Sequence, residues 1–235
     1  MAGSAGITDS GNSITPAALK LRIVPVSGYN DTNFHQPAAP MITAKQITAV
    51  ILAGGRGTRM GGQDKGLVQL DGKPMIGHVI SALVPQADSL IINANRNLET
   101  YAAFGYPVIR DELEGFQGPL AGILSAMDRI DSPYLLCAPC DVPGLPGDLG
   151  QRLSTALQEQ QVELAVVHDG EKLQPAFALI PTELRDDLRD YMQRGERRLR
   201  SWCREHRLAL ADYSDQPESF ANINDAGELQ RYRNT

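Results

Sequence analysis

The side chains best placed to do chemistry are three cations, Arg56, Arg59 and Lys65, strung along a stretch whose positions 54, 55, 57, 61 and 62 are glycine. Glycine permits positive φ and lets the backbone come close to a ligand. Successive N–H groups in such a loop form an anion-binding concavity. Spaced cations around that concavity suit the charge of a nucleoside triphosphate.

Two familiar phosphate loops fail here. The P-loop needs Gly-x-x-x-x-Gly-Lys-Ser/Thr, but Lys65 follows Asp64 and precedes Gly66. The dinucleotide fingerprint Gly-x-Gly-x-x-Gly begins at Gly55 and Gly57 and then meets Met60 in its third glycine place.

The elements that must position these groups follow from periodicity. Residues 47 to 53 form a β-branched apolar run that reads as a buried strand leading into the glycines. Further strands are predicted at 89–93, 107–110 and 134–138, alternating with helices at 74–84, 99–104 and 119–130. That alternation predicts an α/β fold with a mostly parallel sheet and helices on both faces. Ligands of such sheets bind outside the strand carboxyl ends. Gly54 to Lys65, Asn93, Asp111 and Asp141 all fall at or just past those ends. Singly, Asn93 reads equally as a strand terminator, Asp111 as a turn cap and Asp141 as a brace for the Pro139–Pro143 loop. Together on one rim they point to a shared site.

The second half is less regular. Helices are predicted at 150–160 and 182–193 (capped by Thr182), and Gly195-Glu-Arg-Arg198 leads into another through His206; strands are predicted at 163–167 and 173–180, and a closing helix at 225–233. His168 ends a strand before the turn signal Asp169-Gly170; it reads either as a pocket residue or as a turn edge. Residues 1–46 lack sustained periodicity and read as a flexible extension, with 47–235 as the folded domain. Met41 is a candidate start, checked by mass spectrometry of protein purified from its own source.

Composition excludes several classes. The 235 residues carry a net charge of −6 and are 42% hydrophobic, which argues against nucleic-acid binding, whose footprint is basic. No apolar run approaches the ~20 residues of a membrane span. The three cysteines, Cys137, Cys140 and Cys203, are an odd number without framework spacing, so a reduced, cytoplasmic protein is expected. Cys137-Ala-Pro-Cys140 spells Cys-x-x-Cys but sits at a strand end between prolines, where no helix terminus is expected to lower a thiol pKa.

The run Leu52-Ala-Gly-Gly-x-x-x-Arg59-Met-Gly-x-x-Asp64-Lys65 resembles the signature of nucleotidyltransferases. Its Arg59-to-Leu67 portion is similar to molybdenum cofactor guanylyltransferases in particular, as are Cys140-Asp-Val-Pro143, Gly118-Pro-Leu-Ala-Gly122, Gln174-Pro175, Gly195-Glu-Arg-Arg198 and Asn222-Ile-Asn224. The resemblance runs from about residue 47 to the C-terminus.

It implies a Rossmann-like three-layer sandwich of the nucleotide-diphospho-sugar-transferase type and transfer of GMP from GTP to molybdopterin, with pyrophosphate released. It implies GTP contacts from Leu52, Ala53, Gly54, Gly55, Lys65, Asn93 and Asp111, and Asp141 as ligand of Mg²⁺. Arg59 and Lys65 would stabilise charge in the transition state. Gln174, Pro175, Arg197, Asn222 and Asn224 would meet the acceptor, although Arg197 and Arg198 read rather as a solvated helix face, and Asn222 and Asn224 read equally with or without that contact. Asp64 is expected to orient Lys65 or the loop. Finished cofactor would pass to molybdoenzymes or their chaperones. The rival readings are a cytidylyltransferase, a sugar-phosphate nucleotidyltransferase, or a nucleotide-gated carrier of the cofactor that catalyses nothing.

Overall fold

The computed structural model describes residues 41–55, 64–112, 118–223 and 226–233. Strand β1 (Ile47–Leu52) is the centre of the sheet. It pairs in parallel with β4 (Ser89–Asn93) on one side and with β6 (Tyr134–Pro139) on the other. Beyond β4 lies the short parallel β5 (Val108–Ile109). Beyond β6 come β8 (Leu173–Pro181), β7 (Leu164–His168) and β9 (Leu208–Asp212), giving the order β5-β4-β1-β6-β8-β7-β9. Strand β8 runs antiparallel to both neighbours, while β9 is parallel to β7. A small hairpin, β2 (Gln69–Leu70) with β3 (Lys73–Pro74), stands apart from the sheet.

Side-chain alternation along the strands sorts the core into two layers. Ala49 and Ile51 of β1 and Leu136 and Ala138 of β6 face one layer, packed with Ile76, Val79 and Leu83 of α1 (Met75–Leu83) and Leu149 and Leu153 of α4 (Leu149–Gln160). Val50, Leu135 and Cys137 face the other. There they meet Leu120, Ile123 and Met127 of α3 (Pro119–Met127), Leu188 and Met192 of α5 (Arg185–Gln193), and Trp202 of α6 (Leu199–Glu205). The result is the expected three-layer sandwich. Helix α2 (Leu98–Ala102) buries Tyr101 completely in the first layer. The closing helix α7 (Ala226–Arg233) lays Tyr232 against a small cluster of Val68, Leu70, Met75 and Ile223 over the hairpin.

Three local features differ from the sequence reading. Thr182 does not cap a helix: its hydroxyl donates to the carbonyls of Ser132 and Pro133, and a 3-10 turn (Thr182–Leu184) precedes α5. The tertiary bond wins the hydroxyl, pinning the end of β8 to the loop before β6. The hairpin and β9 were not anticipated. In β9, the Leu210 N–H donates to Gln160 Oε1 at 3.3 Å and the Leu210 carbonyl accepts from Gln160 Nε2 at 3.4 Å, so a side-chain amide covers this edge of the sheet.

Of the segment read as an extension, residues 1–40 lie outside the described residues. In 41–46 a 3-10 turn (Ala44–Gln46) leads into β1 and Ile42 packs on the core. Among the described residues, no helix is long and apolar enough to cross a membrane.

Candidate nucleotide site at the sheet's switch point

Chain order reverses between β1 and β6, the place where an open α/β sheet leaves a crevice at its carboxyl edge. A cavity of about 390 Å³ lies there, lined by Leu52, Gly54, Gly55, Asn93, Asp111, Gly118, Pro119, Pro139 and Ala176. Five of these are residues expected to meet the nucleotide. Helix α3 begins at the cavity, with Pro119 at its first position and Gly118 at φ +79° before it. An N-terminus facing a cavity favours anions.

Of the expected contacts, Ala53 and Lys65 are not part of this lining. Ala53 serves the sheet. It is buried, and its N–H donates to the Asn93 carbonyl at 2.8 Å. The Leu52 carbonyl accepts from the Cys140 N–H at 3.2 Å. These two backbone groups serve the sheet, leaving the lining itself to Leu52, Gly54 and Gly55.

Asn93 at the end of β4, the loop that follows it and Tyr101 of α2 organise the rim. Asn93 Nδ2 donates to Asp111 Oδ1 at 2.9 Å, and Asn95 Nδ2 donates to Asp111 Oδ2 at 2.8 Å. Arg96 donates to the Gly55 carbonyl at 3.1 Å. Asn97, at φ +50°, donates through Nδ2 to Asp64 Oδ2 at 3.0 Å, and the Tyr101 hydroxyl donates to Asp64 Oδ1 at 2.5 Å. One loop with the helix it opens thus holds Asp111 and the described residues on either side of the glycine loop. Burial, then the neighbouring Cys140 and Asp64, push the Tyr101 phenol far above its ordinary pKa, so it remains a donor. Asp64 itself is buried and fully engaged as an anchor next to Lys65.

Close packing depends on a missing side chain. A Cβ at Gly122, on α3, would stand 2.3 Å from Asn93 Oδ1 and 3.1 Å from Leu52 Cδ2. Glycine there lets Asn93 lie against the helix.

Lys65 Nζ donates to Asp141 Oδ2 at 3.0 Å. Asp141 is buried at the end of β6, and its carbonyl accepts the Ile223 N–H at 3.0 Å, bringing the Asn222-Ile223 segment beside it. Among the described residues no three or more His, Cys, Asp or Glu side chains cluster as a metal site. The donor set is the Asp141 carboxylate. A single hard oxygen donor fits a magnesium ion that keeps its waters and shares phosphate oxygens, as Mg²⁺ usually does.

A second cavity of about 530 Å³ is lined by Asp169, Glu171, Lys172, Gln174, Pro217, Glu218, Phe220, Ala221 and Asn222. It brings Gln174 and Asn222 together. Pro175 stands between Gln174, which lines this cavity, and Ala176, which lines the first. Burial pushes the Asp169 carboxyl up, but hydrogen bonds from the Lys172 N–H, Gln174 Nε2 and the Glu171 N–H outweigh it and hold the group below its ordinary value.

Arg197 is placed elsewhere: its guanidinium donates to the Met192 and Glu196 carbonyls and lines a third cavity with Glu112, Asp128 and Arg189. His168 takes the turn-edge place, its Nδ1 accepting the Gly170 N–H. Arg59 and Asn224 lie outside the described residues. Asn95 and Tyr101 were missed as site-builders. Asn95 alone left a signal, as the second amide of Asn93-Ala-Asn95 past a strand end.

A doubly wound sheet with a cavity at its switch point, a lysine–carboxylate pair past the strand carboxyl ends and a helix N-terminus opening on the cavity defines an α/β nucleotide-binding protein. A model of the MobA-like NTP transferase domain matches residues 49–210. Molybdenum cofactor guanylyltransferases of Shewanella sediminis and Shewanella sp. (strain MR-4) are 48% and 49% identical over 186 residues, covering 79% of this chain and 95% and 94% of theirs.

Among solved structures, molybdopterin-guanine dinucleotide biosynthesis protein A of Archaeoglobus fulgidus superposes with a TM-score of 0.66 at 21% identity, covering 80% of this chain and 97% of its own. The 4-diphosphocytidyl-2C-methyl-D-erythritol synthase of Anaerococcus prevotii gives 0.65 at 11% identity, covering 81% and 96%. The chain belongs to the MobA-like NTP transferase family, alongside the molybdenum cofactor guanylyltransferases.

Proposed function

We propose that the protein transfers GMP from GTP to molybdopterin, forming the guanine dinucleotide cofactor and releasing pyrophosphate. The observation that carries this reading is the switch-point cavity, whose lining Pro139 precedes by two positions the Asp141 that pairs with Lys65. The acceptor's terminal phosphate oxygen attacks the α-phosphorus in line, a new P–O bond forms, and the bond to pyrophosphate breaks. Such a displacement needs alignment and charge neutralisation rather than a protein nucleophile.

In this reading Leu52, Gly54, Gly55, Asn93 and Asp111 hold the guanosine part, and Lys65 with Arg59 stabilises charge gathering on the phosphates. Asp141 would hold Mg²⁺, which supplies charge neutralisation on the phosphate oxygens when bound.

The acceptor takes the second cavity. Its Gln174 and Asn222 offer amide donors and acceptors to the pterin, and the Asp141 carbonyl is tied to Ile223, the residue after Asn222. Asn224 is assigned to the same acceptor from sequence, and Arg197 to its phosphate only if the guanidinium turns from the Met192 carbonyl. We place the 47–235 domain, with its three unpaired cysteines, in the cytoplasm, passing its product to molybdoenzymes or their chaperones.

The test is pyrophosphate release from GTP, CTP, ATP and UTP with Mg²⁺, with and without molybdopterin. Release confined to GTP plus molybdopterin is expected. Release with CTP instead would overturn the base assignment, and tight GTP binding without release would favour a carrier.

A further inference from the structure

We propose that Asn95 is a positioning residue for nucleotide recognition, fixing the orientation in which the Asp111 carboxylate meets the nucleotide. This rests on the reading of the switch-point cavity as the GTP site.

Asn95 makes a two-way contact with one residue. Its Nδ2 donates to Asp111 Oδ2 at 2.8 Å while its Oδ1 accepts the Asp111 backbone N–H at 3.0 Å. The same amide therefore locks side chain and main chain of Asp111 in a single register. The other carboxylate oxygen, Oδ1, is held by Asn93 Nδ2 at 2.9 Å. Each oxygen is pinned by a different amide, so rotation of the carboxylate is blocked from both sides. A carboxylate oxygen has two lone-pair directions, so each retains acceptor capacity for a donor from the ligand.

Only an amide of this length can fill the place. An aspartate at 95 would offer no donor to Asp111 and would set two carboxylates face to face. An alanine would release both bonds. The residue at 54 is matched to it: a Cβ there would stand 3.1 Å from Asn95 Nδ2, so the glycine leaves room for the amide behind the lining. Asp111 and Gly54 line the cavity; Asn95 acts through them.

The experiment is equilibrium titration of GTP, without acceptor, into the full chain and its N95A, N95D, N95S, D111A and N95A/D111A variants, with thermal unfolding of each. N95A is expected to weaken GTP about tenfold, N95D at least as much, and N95S less. Turnover at saturating GTP should change far less than affinity, because the lost contact orients a binding group. In the D111A background, N95A should cost nothing further.

A loop that merely collapses would weaken GTP equally in both backgrounds, and that result would overturn the proposal. So would unchanged GTP affinity in N95A where D111A binds weakly. Unchanged GTP binding in D111A itself would instead sink the nucleotide reading of the cavity, and the Asn95 role with it.

Discussion

Lys65 Nζ stands 3.0 Å from Asp141 Oδ2, joining residues 76 positions apart just beyond the carboxyl ends of β1 and β6. An amine suited to a triphosphate and a carboxylate suited to a divalent cation neutralise each other here. Bringing in a nucleotide with its metal would exchange this pairing for two others. Asp141→Asn should therefore lower turnover by about 10²–10³-fold while changing the GTP dissociation constant much less. Lys65→Ala should weaken both. Steady-state rates beside equilibrium titrations check this, and an Asp141→Asn enzyme with intact turnover would remove the metal assignment.

Gly122→Ala reverses the usual sign for a helix. Alanine ordinarily stabilises a helix interior by ~1 kcal/mol over glycine. At this position the new methyl would meet Asn93 Oδ1 at 2.3 Å, and overpacking of that kind costs ~1–3 kcal/mol. The variant should unfold at lower denaturant and bind GTP more weakly, because Asn93 must leave Asp111. A gain in stability would show that Asn93 moves without cost.

Tyr101→Phe removes one of the two side-chain donors that hold Asp64 among the described residues. A buried carboxylate deprived of a donor costs ~1–3 kcal/mol. Since burial keeps the phenol protonated, the loss should be the same at neutral and mildly alkaline pH. Denaturation curves at two pH values measure it, and a stability loss that vanished at the higher pH would contradict a protonated donor.

Asp169 gives a pH signature. Its carboxyl is held below the ordinary value of 3.8 in the folded protein. A depressed acid contributes stability that is complete above the unfolded value and is lost as pH falls through the folded one. The melting temperature of wild type should thus exceed that of Asp169→Asn by a constant margin at neutral pH, narrowing below about pH 4. A margin that widened on acidification would refute the hydrogen-bonded carboxylate.

The three thiols should be silent. Cys137, Cys140 and Cys203 are all buried. Burial pushes Cys203 up to about 12 and raises the other two further from the thiolate. A chromogenic disulfide reagent should titrate none of them in the folded protein and all three after denaturation. Rapid reaction of a native pair would revive a redox role for Cys137-Ala-Pro-Cys140.

The sequence was readable where one segment carries its own signal. β1, β4 and β6 are continuous apolar runs, and the residues past them fell on one rim because every parallel strand delivers its carboxyl end to the same side. What could not be read depended on distant partners. Thr182 looks like a helix cap until Ser132 and Pro133, some fifty positions away, supply better acceptors. β9 is Leu-Ala-Leu-Ala-Asp, poor in β-branched residues, and becomes a strand because β7 offers it a ladder. The anchoring of Asp64 by Tyr101 and Asn97 leaves no local pattern at all. At Ala53 motif position points to the nucleotide, while the sheet takes its N–H.

The amide of Gln160 against Leu210 has a consequence for how copies of the molecule meet. A sheet margin with an open N–H and carbonyl invites another chain to continue the ladder, the first step toward filaments. Here the glutamine imitates the peptide group of a neighbouring strand and satisfies both. The glutamine thus fills one rung at the middle of β9 and hinders a further strand from adding there, even though the Leu210 side chain is exposed.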